Sequence, residues 1–163
     1  MNGTAIISED EKYRYLLTRE LDPFNPRGKI ITWIMLNPST ADAEKDDPTI
    51  RRVIWFTKRE NGTLLQVINL FAYRCTNPNE LPNDEFERIG PDWIKWTANT
   101  IENSNLIIAA WGANAKRFSR SHSYLEPIIY DRQVYCLGLT KGGFPRHPLY
   151  VNSKQQLVPF CWQ

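Results

Sequence analysis

Residues 29–40 read K-I-I-T-W-I-M-L-N-P-S-T, and this stretch decides the fold. Residues 29–36 form a nearly continuous apolar run, the composition of a strand covered on both faces. Asn37-Pro38-Ser39-Thr40 ends it and opens a polar loop reaching Asp47. Working outward, residues 64–70, 106–111 (L-I-I-A-A-W) and 134–139 repeat the pattern of a buried strand. Helical signals separate them. Asp47-Pro48 is a helix start, with aspartate as cap and proline at the first helical position. Ile50, Val53, Ile54 and Thr57 then recur at helical spacing and give one buried face. Asn61-Gly62 closes that helix. Pro91 opens a second, carrying Trp93, Ile94 and Trp96, and residues 113–130 read as a third whose last turn Pro127 disturbs. Upstream, residues 13–21 alternate as a half-exposed strand, ended by Pro23 and Asn25-Pro26-Arg27-Gly28. The tail is expected to form a short helix from Ser153. Buried strands alternating with helices imply a parallel sheet with helices on both faces. The expectation is an α/β fold, a three-layer α/β/α sandwich around a central, mainly parallel sheet of roughly four to five strands, in a single domain over residues 1–163.

The length of 163 residues suits one core, and 42% hydrophobic with 23% charged residues is ordinary for a globular chain. A formal net charge of +2 provides no global basic field, so affinity for DNA has to come from local patches. Six Trp, seven Tyr and seven Phe exceed what a small core needs and leave aromatics for a binding surface. Cys75, Cys136 and Cys161 are odd in number and far apart, which argues against a disulfide framework and a zinc site and suits a reducing compartment. His122 and His147 are too few for a histidine-rich metal centre. No metal or other cofactor is expected. Neither a signal segment nor a membrane-spanning run is visible, so a cytoplasmic protein with no membrane partner is the expectation.

In such sheets ligands bind beyond the carboxyl ends of the strands, and here the polar residues cluster at those ends. Asn37, Ser39, Thr40 and Asp42 follow the first buried strand, Asn69 ends the second with Phe71 and Arg74 behind it, Trp111-Gly112 ends the third, and residues 141–147 follow the fourth. Four strand ends converging on polar loops define one site. Asn37 either holds a water or ligand edge or closes its own Asx-turn. Asn69 lies inside the apolar run V-I-N-L-F, where a carboxamide needs partners; its donor and acceptor suit the edge of a base, or a neighbouring loop. Asp42, Glu44, Asp46 and Asp47 form an acidic loop, ordinarily a solvated surface, in which one carboxylate could activate water. Arg51 and Arg52 are expected to supply at least one ion pair to that loop. His147 sits in R-H-P-L beside Gly142-Gly143, able to donate to a base carbonyl or a leaving group; Lys141 and Arg146 are candidate phosphate contacts. His122, in S-R-S-H-S-Y, is read as exposed and without a role.

The order L-N-P-S-T-A-D, D-D-P-T-I-R-R, N-L-F-A-Y-R-C-T-N-P and A-A-W-G-A resembles a bacterial and phage domain family catalogued as of unknown function, over most of the chain. More distantly, it resembles the uracil-DNA glycosylase superfamily, whose members carry a strand followed by G-x-N-P-G, a later strand ending in Asn, and a late H-P-S loop. Leu36-Asn37-Pro38-Ser39, Asn69 and His147-Pro148-Leu149 stand at those places, without the flanking glycines and with Leu149 for the serine. The resemblance implies a uracil-DNA glycosylase-like fold. It also implies that Asn37 positions the attacking water, Asn69 reads the base edge, His147 stabilises the departing base, and the loop with Arg146, Pro148 and Leu149 wedges into the duplex. The segment D-D-P-T-I-R-R has no counterpart there, and a charged rim at Asp46, Asp47 and Arg51 suits a bulkier, modified base such as a sugar-decorated one. The functional expectation is therefore a monofunctional DNA glycosylase acting on a flipped, modified base of DNA, of the kind a phage carries, with a place in anti-phage defence. The alternatives are a hydrolase or deoxyribosyl transferase acting on free nucleosides or nucleotides, and a non-catalytic module that binds a modified base.

Overall fold

The computed structural model describes residues 2–39, 41–118 and 123–161. Its elements, in chain order, are β1 (Gly3–Ile7), β2 (Arg14–Glu20), β3 (Lys29–Met35), α1 (Pro48–Arg59), β4 (Gly62–Asn69), α2 (Glu85–Ile89), α3 (Trp93–Glu102), β5 (Leu106–Ala109), α4 (Glu126–Ile129), β6 (Val134–Cys136) and β7 (Val158–Phe160). Short 3₁₀ turns cover Pro78–Glu80, Ala113–Phe118 and Pro148–Tyr150. The strands form one mixed sheet of seven, in the order β1-β2-β4-β3-β5-β6-β7. The inner four, β4-β3-β5-β6, run parallel, and β1, β2 and β7 are added antiparallel at the edges. The parallel block is the set of apolar runs legible in the sequence; β1 and β7 widen the sheet beyond it.

Alternation along the central strands divides the core in two. Ile31, Trp33 and Met35 of β3, with Leu65 and Val67 of β4, pack against Ile50, Val53, Ile54 and Phe56 of α1. Ile34 and Ile68 point the other way, toward Trp93 and Ile101 of α3 and Ile129 of α4. The result is a sheet between helical layers. Trp33 Nε1 donates to Thr57 Oγ1 at 2.9 Å, and that hydroxyl donates to Val53 O at 2.8 Å, so the one polar position on the buried face of α1 is paired. Asp47 caps α1 through a 2.8 Å bond from Ile50 N, and Asn61 takes the left-handed conformation (φ 62°) that turns the chain into β4.

Three expectations are corrected. Residues 13–21 are not half-exposed: Arg14, Tyr15, Leu16, Leu17 and Arg19 are all buried, because the loop before α1 covers one face of β2 and α3 packs on the other. The stretch 113–130 is not one helix. It begins as the 3₁₀ turn Ala113–Phe118 and ends as α4, where Pro127 sits in the first turn, the position that tolerates a missing N–H. The tail is a strand rather than a helix; β7 pairs with β6, and its Pro159 is accepted because β7 is a sheet edge.

A β-bulge interrupts β2. Ile6 faces Leu16 and Ile7 faces Arg14, leaving Tyr15 as an extra residue. The alternation therefore shifts by one, and Arg14 joins Leu17 and Arg19 on the α1 side of the sheet. No helix among the described residues is long and apolar enough to cross a membrane.

Candidate functional site

A cleft of about 620 Å³ opens at the carboxyl ends of the parallel strands. That size is typical of sites for small organic ligands. Its floor is Asn69, Met35, Val67 and Arg14; Asn37, Ser39, Cys75 and Thr76 form one wall; Asp47, Thr49 and Ile50 of the α1 start form another. Trp111, Gly112, Asn114, Thr140, Arg146, His147, Leu149 and Tyr150 complete it.

Asn69 ends β4 with its side chain 3% exposed, and neither Nδ2 nor Oδ1 has a hydrogen-bond partner. Its main chain is fixed on both sides: the carbonyl accepts from Trp93 Nε1 at 2.8 Å, and the residue pairs with Met35. Leaving such a carboxamide unpaired costs about 1–3 kcal/mol. A rigid, buried donor–acceptor pair facing a cleft is what a ligand edge of complementary pattern requires. Asn37 is held differently. Its Nδ2 donates to Cys75 O at 2.8 Å and to Pro38 O at 3.2 Å, so the rotamer is locked and Oδ1 is left to accept. Among the described residues no donor reaches that oxygen.

His147 follows the hairpin that leaves β6. The hairpin closes through Thr140 N to Phe144 O (2.8 Å) and Arg146 N to Gly138 O (3.0 Å), and Gly112 N donates to Pro145 O at 2.9 Å, tying it to the end of β5. Gly112 is the close approach: at φ 76°, a Cβ there would stand 3.2 Å from His147 Cβ. His147 Nδ1 accepts from Leu149 N at 3.3 Å, which assigns the proton to Nε2. Burial pushes the imidazole pKa below its ordinary value, with Asp47 acting weakly the other way, so the ring is neutral and Nε2 is a donor at pH 7. Arg52 holds the following turn, donating to Val151 O at 2.7 Å while its guanidinium lies 4.6 Å from the Phe56 ring. Tyr150 stands at the rim, 83% exposed, with its ring 5.6 Å from His147.

Two buried arginines of β2 organise the acidic loop. Arg19 pairs with Asp46 at 2.8 Å and donates to Asp42 O at 2.6 Å. Arg14, 3% exposed, donates through Nη1 to Ala41 O and has no partner for Nε. Burial lowers its pKa to about 10, partly offset by Asp47, so it stays cationic at neutral pH. Asp47 and Arg14 line the same cleft, yet no ion pair joins them among the described residues.

The family model for a domain described as Protein of unknown function (DUF1643) matches residues 14–149. The chain belongs to that family. No curated protein matches it. No solved structure matches it either.

The DUF1643 match runs from Arg14 to Leu149, and both residues line the cleft. Of the residues singled out from sequence, Asn37, Ser39, Asp47, Asn69, Trp111, Gly112, Arg146, His147 and Leu149 also meet there. The other described candidates do not line it. Asp42 turns back on its own loop, accepting from Glu44 N and Lys45 N, which lowers its pKa. Arg51 donates to Asp46 O on the surface, and Arg52 points to the His147 turn, so neither forms the expected ion pair with the acidic loop. Phe71 is fully buried in the opposite core, edge-on to Phe118. Arg74 donates to Glu11 O, Lys141 is exposed at the hairpin tip, and Pro148 is buried in the first turn after His147. Thr40 and His122 lie outside the described residues. Sequence reasoning missed Arg14, Cys75, Asn114 and Tyr150. Arg14 was hidden because the strand alternation assigns it to the polar face, and a bulge leaves no mark in the composition.

Proposed function

We propose that the chain is a DNA glycosylase that hydrolyses the N-glycosidic bond of a modified base flipped into the cleft. The observation that carries this reading is Asn69: a buried carboxamide with both polar atoms unpaired, at the floor of a cleft whose other walls hold an acceptor, Asn37 Oδ1, and a neutral donor, His147 Nε2. Donor and acceptor on Asn69 match the edge of a nucleobase. Asn37 Oδ1 accepts from a water and aims its oxygen at the anomeric carbon. As the C1′–N bond breaks, its electron pair moves into the base, and His147 Nε2–H stabilises the charge that develops there. The products are an abasic sugar, which gains the water's hydroxyl, and the free base, which gains its proton. The distant likeness to the uracil-DNA glycosylases supports the same assignment of Asn37, Asn69 and His147, and with it a uracil-DNA glycosylase-like fold.

A polymeric substrate is favoured by what adjoins the cleft. A second groove of about 480 Å³, sharing Pro78, Ala113 and Asn114 with it, is lined by Lys116 and Arg117. Cations beside a base pocket suit the phosphates of the flanking strand. Tyr150 and Leu149, exposed at the rim, suit the gap a flipped base leaves in the stack.

The test is base release from uracil-containing DNA and from DNA with modified pyrimidines, read as alkali-sensitive abasic sites. Release that is lost in Asn37→Ala and in His147→Ala, both still folded, is the expected result. Folded wild-type protein that releases no base from any of these DNAs overturns the proposal; release from free nucleosides alone would move the activity to the nucleoside hydrolases.

A further inference from the structure

The cleft is lined by more than the base subsite uses. Val67, Met35 and Arg14 line it with Asn69, and the start of α1 adds Asp47 and Ile50. Arg14 is an internal cation with one main-chain partner and a buried, unpaired Nε, and the loop that covers it is separately held by Arg19. Asp47 spends Oδ1 on the cap of α1, leaving the other oxygen for the cleft. A fixed donor and a fixed acceptor share one space without touching each other, which is an arrangement for a group that both accepts and donates. An anionic group satisfies Arg14 but is repelled by Asp47, and an ammonium meets the reverse. A hydroxyl serves both.

From this, we infer that Arg14 and Asp47 form a second subsite that reads a hydroxyl-bearing substituent on the base, such as a hydroxymethyl group or a sugar attached through one. This rests on the glycosylase reading for the identity of the attached base, but the subsite itself rests on Arg14 and Asp47. The charged rim anticipated from sequence at Asp46, Asp47 and Arg51 is reduced to Asp47: Asp46 is occupied by Arg19, and Arg51 faces away. Arg14 supplies the cation instead.

The experiment has a binding arm and a release arm. In the first, 2′-deoxycytidine, 5-hydroxymethyl-2′-deoxycytidine and 5-carboxy-2′-deoxycytidine are titrated calorimetrically into the wild-type protein and into Asp47→Asn and Arg14→Lys. Asparagine caps a helix as well as aspartate does, so Asp47→Asn leaves the α1 start intact. The hydroxymethyl nucleoside is expected to bind on the order of tenfold more tightly than the other two, and either variant to remove that preference, in keeping with the loss of one charge-assisted hydrogen bond. In the second arm, base release is compared on oligonucleotides carrying the same bases and a glucosylated hydroxymethylcytosine. Preference for hydroxyl-bearing bases that is abolished in Asp47→Asn supports the subsite. Equal binding and equal release of all bases overturns it and leaves the glycosylase reading standing. Selective nucleoside binding without release from any DNA supports the subsite and removes the glycosylase. If Arg14→Lys does not fold, Asp47→Asn alone decides, and preference for the carboxylated base overturns the inference.

Discussion

Replacing Asn69 by leucine should make the protein more stable and functionally inert. The side chain is 3% exposed, both of its polar atoms lack partners, and the backbone contacts to Trp93 and Met35 do not involve it. Leucine has the same number of side-chain heavy atoms in the same branched shape and nothing polar to desolvate. The penalty removed is that of an unsatisfied buried amide, about 1–3 kcal/mol. For a domain of this size about 2 kcal/mol corresponds to a rise in Tm of about 4–8 °C. Urea denaturation of Asn69→Leu, with the m-value unchanged, measures the gain, and base release or nucleoside binding measures the loss. Asn69→Asp gives the complementary result, because it replaces the donor with a second acceptor in a buried place; it should lose both stability and function. The reasoning is refuted if Asn69→Leu is destabilised by 1 kcal/mol or more, since the carboxamide would then be part of the core's own bonding. It is also refuted if the leucine variant keeps wild-type affinity for its ligand.

Arg19→Met should be destabilised by about 3 kcal/mol, since it strands Asp46 and the loop carbonyls of Asp42 and Lys45 beside a buried site; urea unfolding checks this. Gly112→Ala should lose about 1–2 kcal/mol to its positive φ and, by crowding His147, reduce activity more than a surface substitution of equal cost. Because burial depresses the His147 pKa below 6.5, the unfolded chain takes up a proton that the folded chain refuses. Stability is therefore full above pH 6.5 and falls as pH drops from there through the folded value; His147→Gln should flatten that part of the pH–stability curve. Arg52→Ala should free the turn after His147, seen as faster amide exchange at Tyr150 and Val151 and a local loosening worth about 2 kcal/mol.

The parallel centre of the sheet was legible because burial on both faces leaves a nearly continuous apolar run, as from Ile30 through Leu36 with Thr32 the one exception. The start of α1 was legible for a local reason: Asp47 and Pro48 act within a single turn. Asn69 stood out because an amide in an apolar run conflicts with its surroundings, and the conflict persists in the folded chain. What could not be read depends on distant pairing. β7 contains Pro159 and is a strand only because β6 offers it an edge. Arg51 and Arg52 are adjacent in sequence, and which of them meets the acidic loop is set by the rotation of α1 against the sheet. Phe71 and Arg74 follow Asn69 directly, but the chain has already turned over the end of the sheet, so proximity in sequence misplaces them.

The bulge at Tyr15 makes the cleft's buried cation a matter of counting. Every residue that lines the cleft could remain unchanged, and inserting one residue into β1 between Ile6 and Ile7 would give this tyrosine a partner, restore strict alternation and carry the guanidinium of Arg14 through the sheet to the α3 side. Asp47 would then face an uncharged hollow. An insertion is ordinarily judged by the residue it adds; here its effect would fall on the neighbouring strand, and homologous chains whose β1 is longer by one opposite the bulge would be expected to differ in the chemistry they admit, even with identical pocket residues.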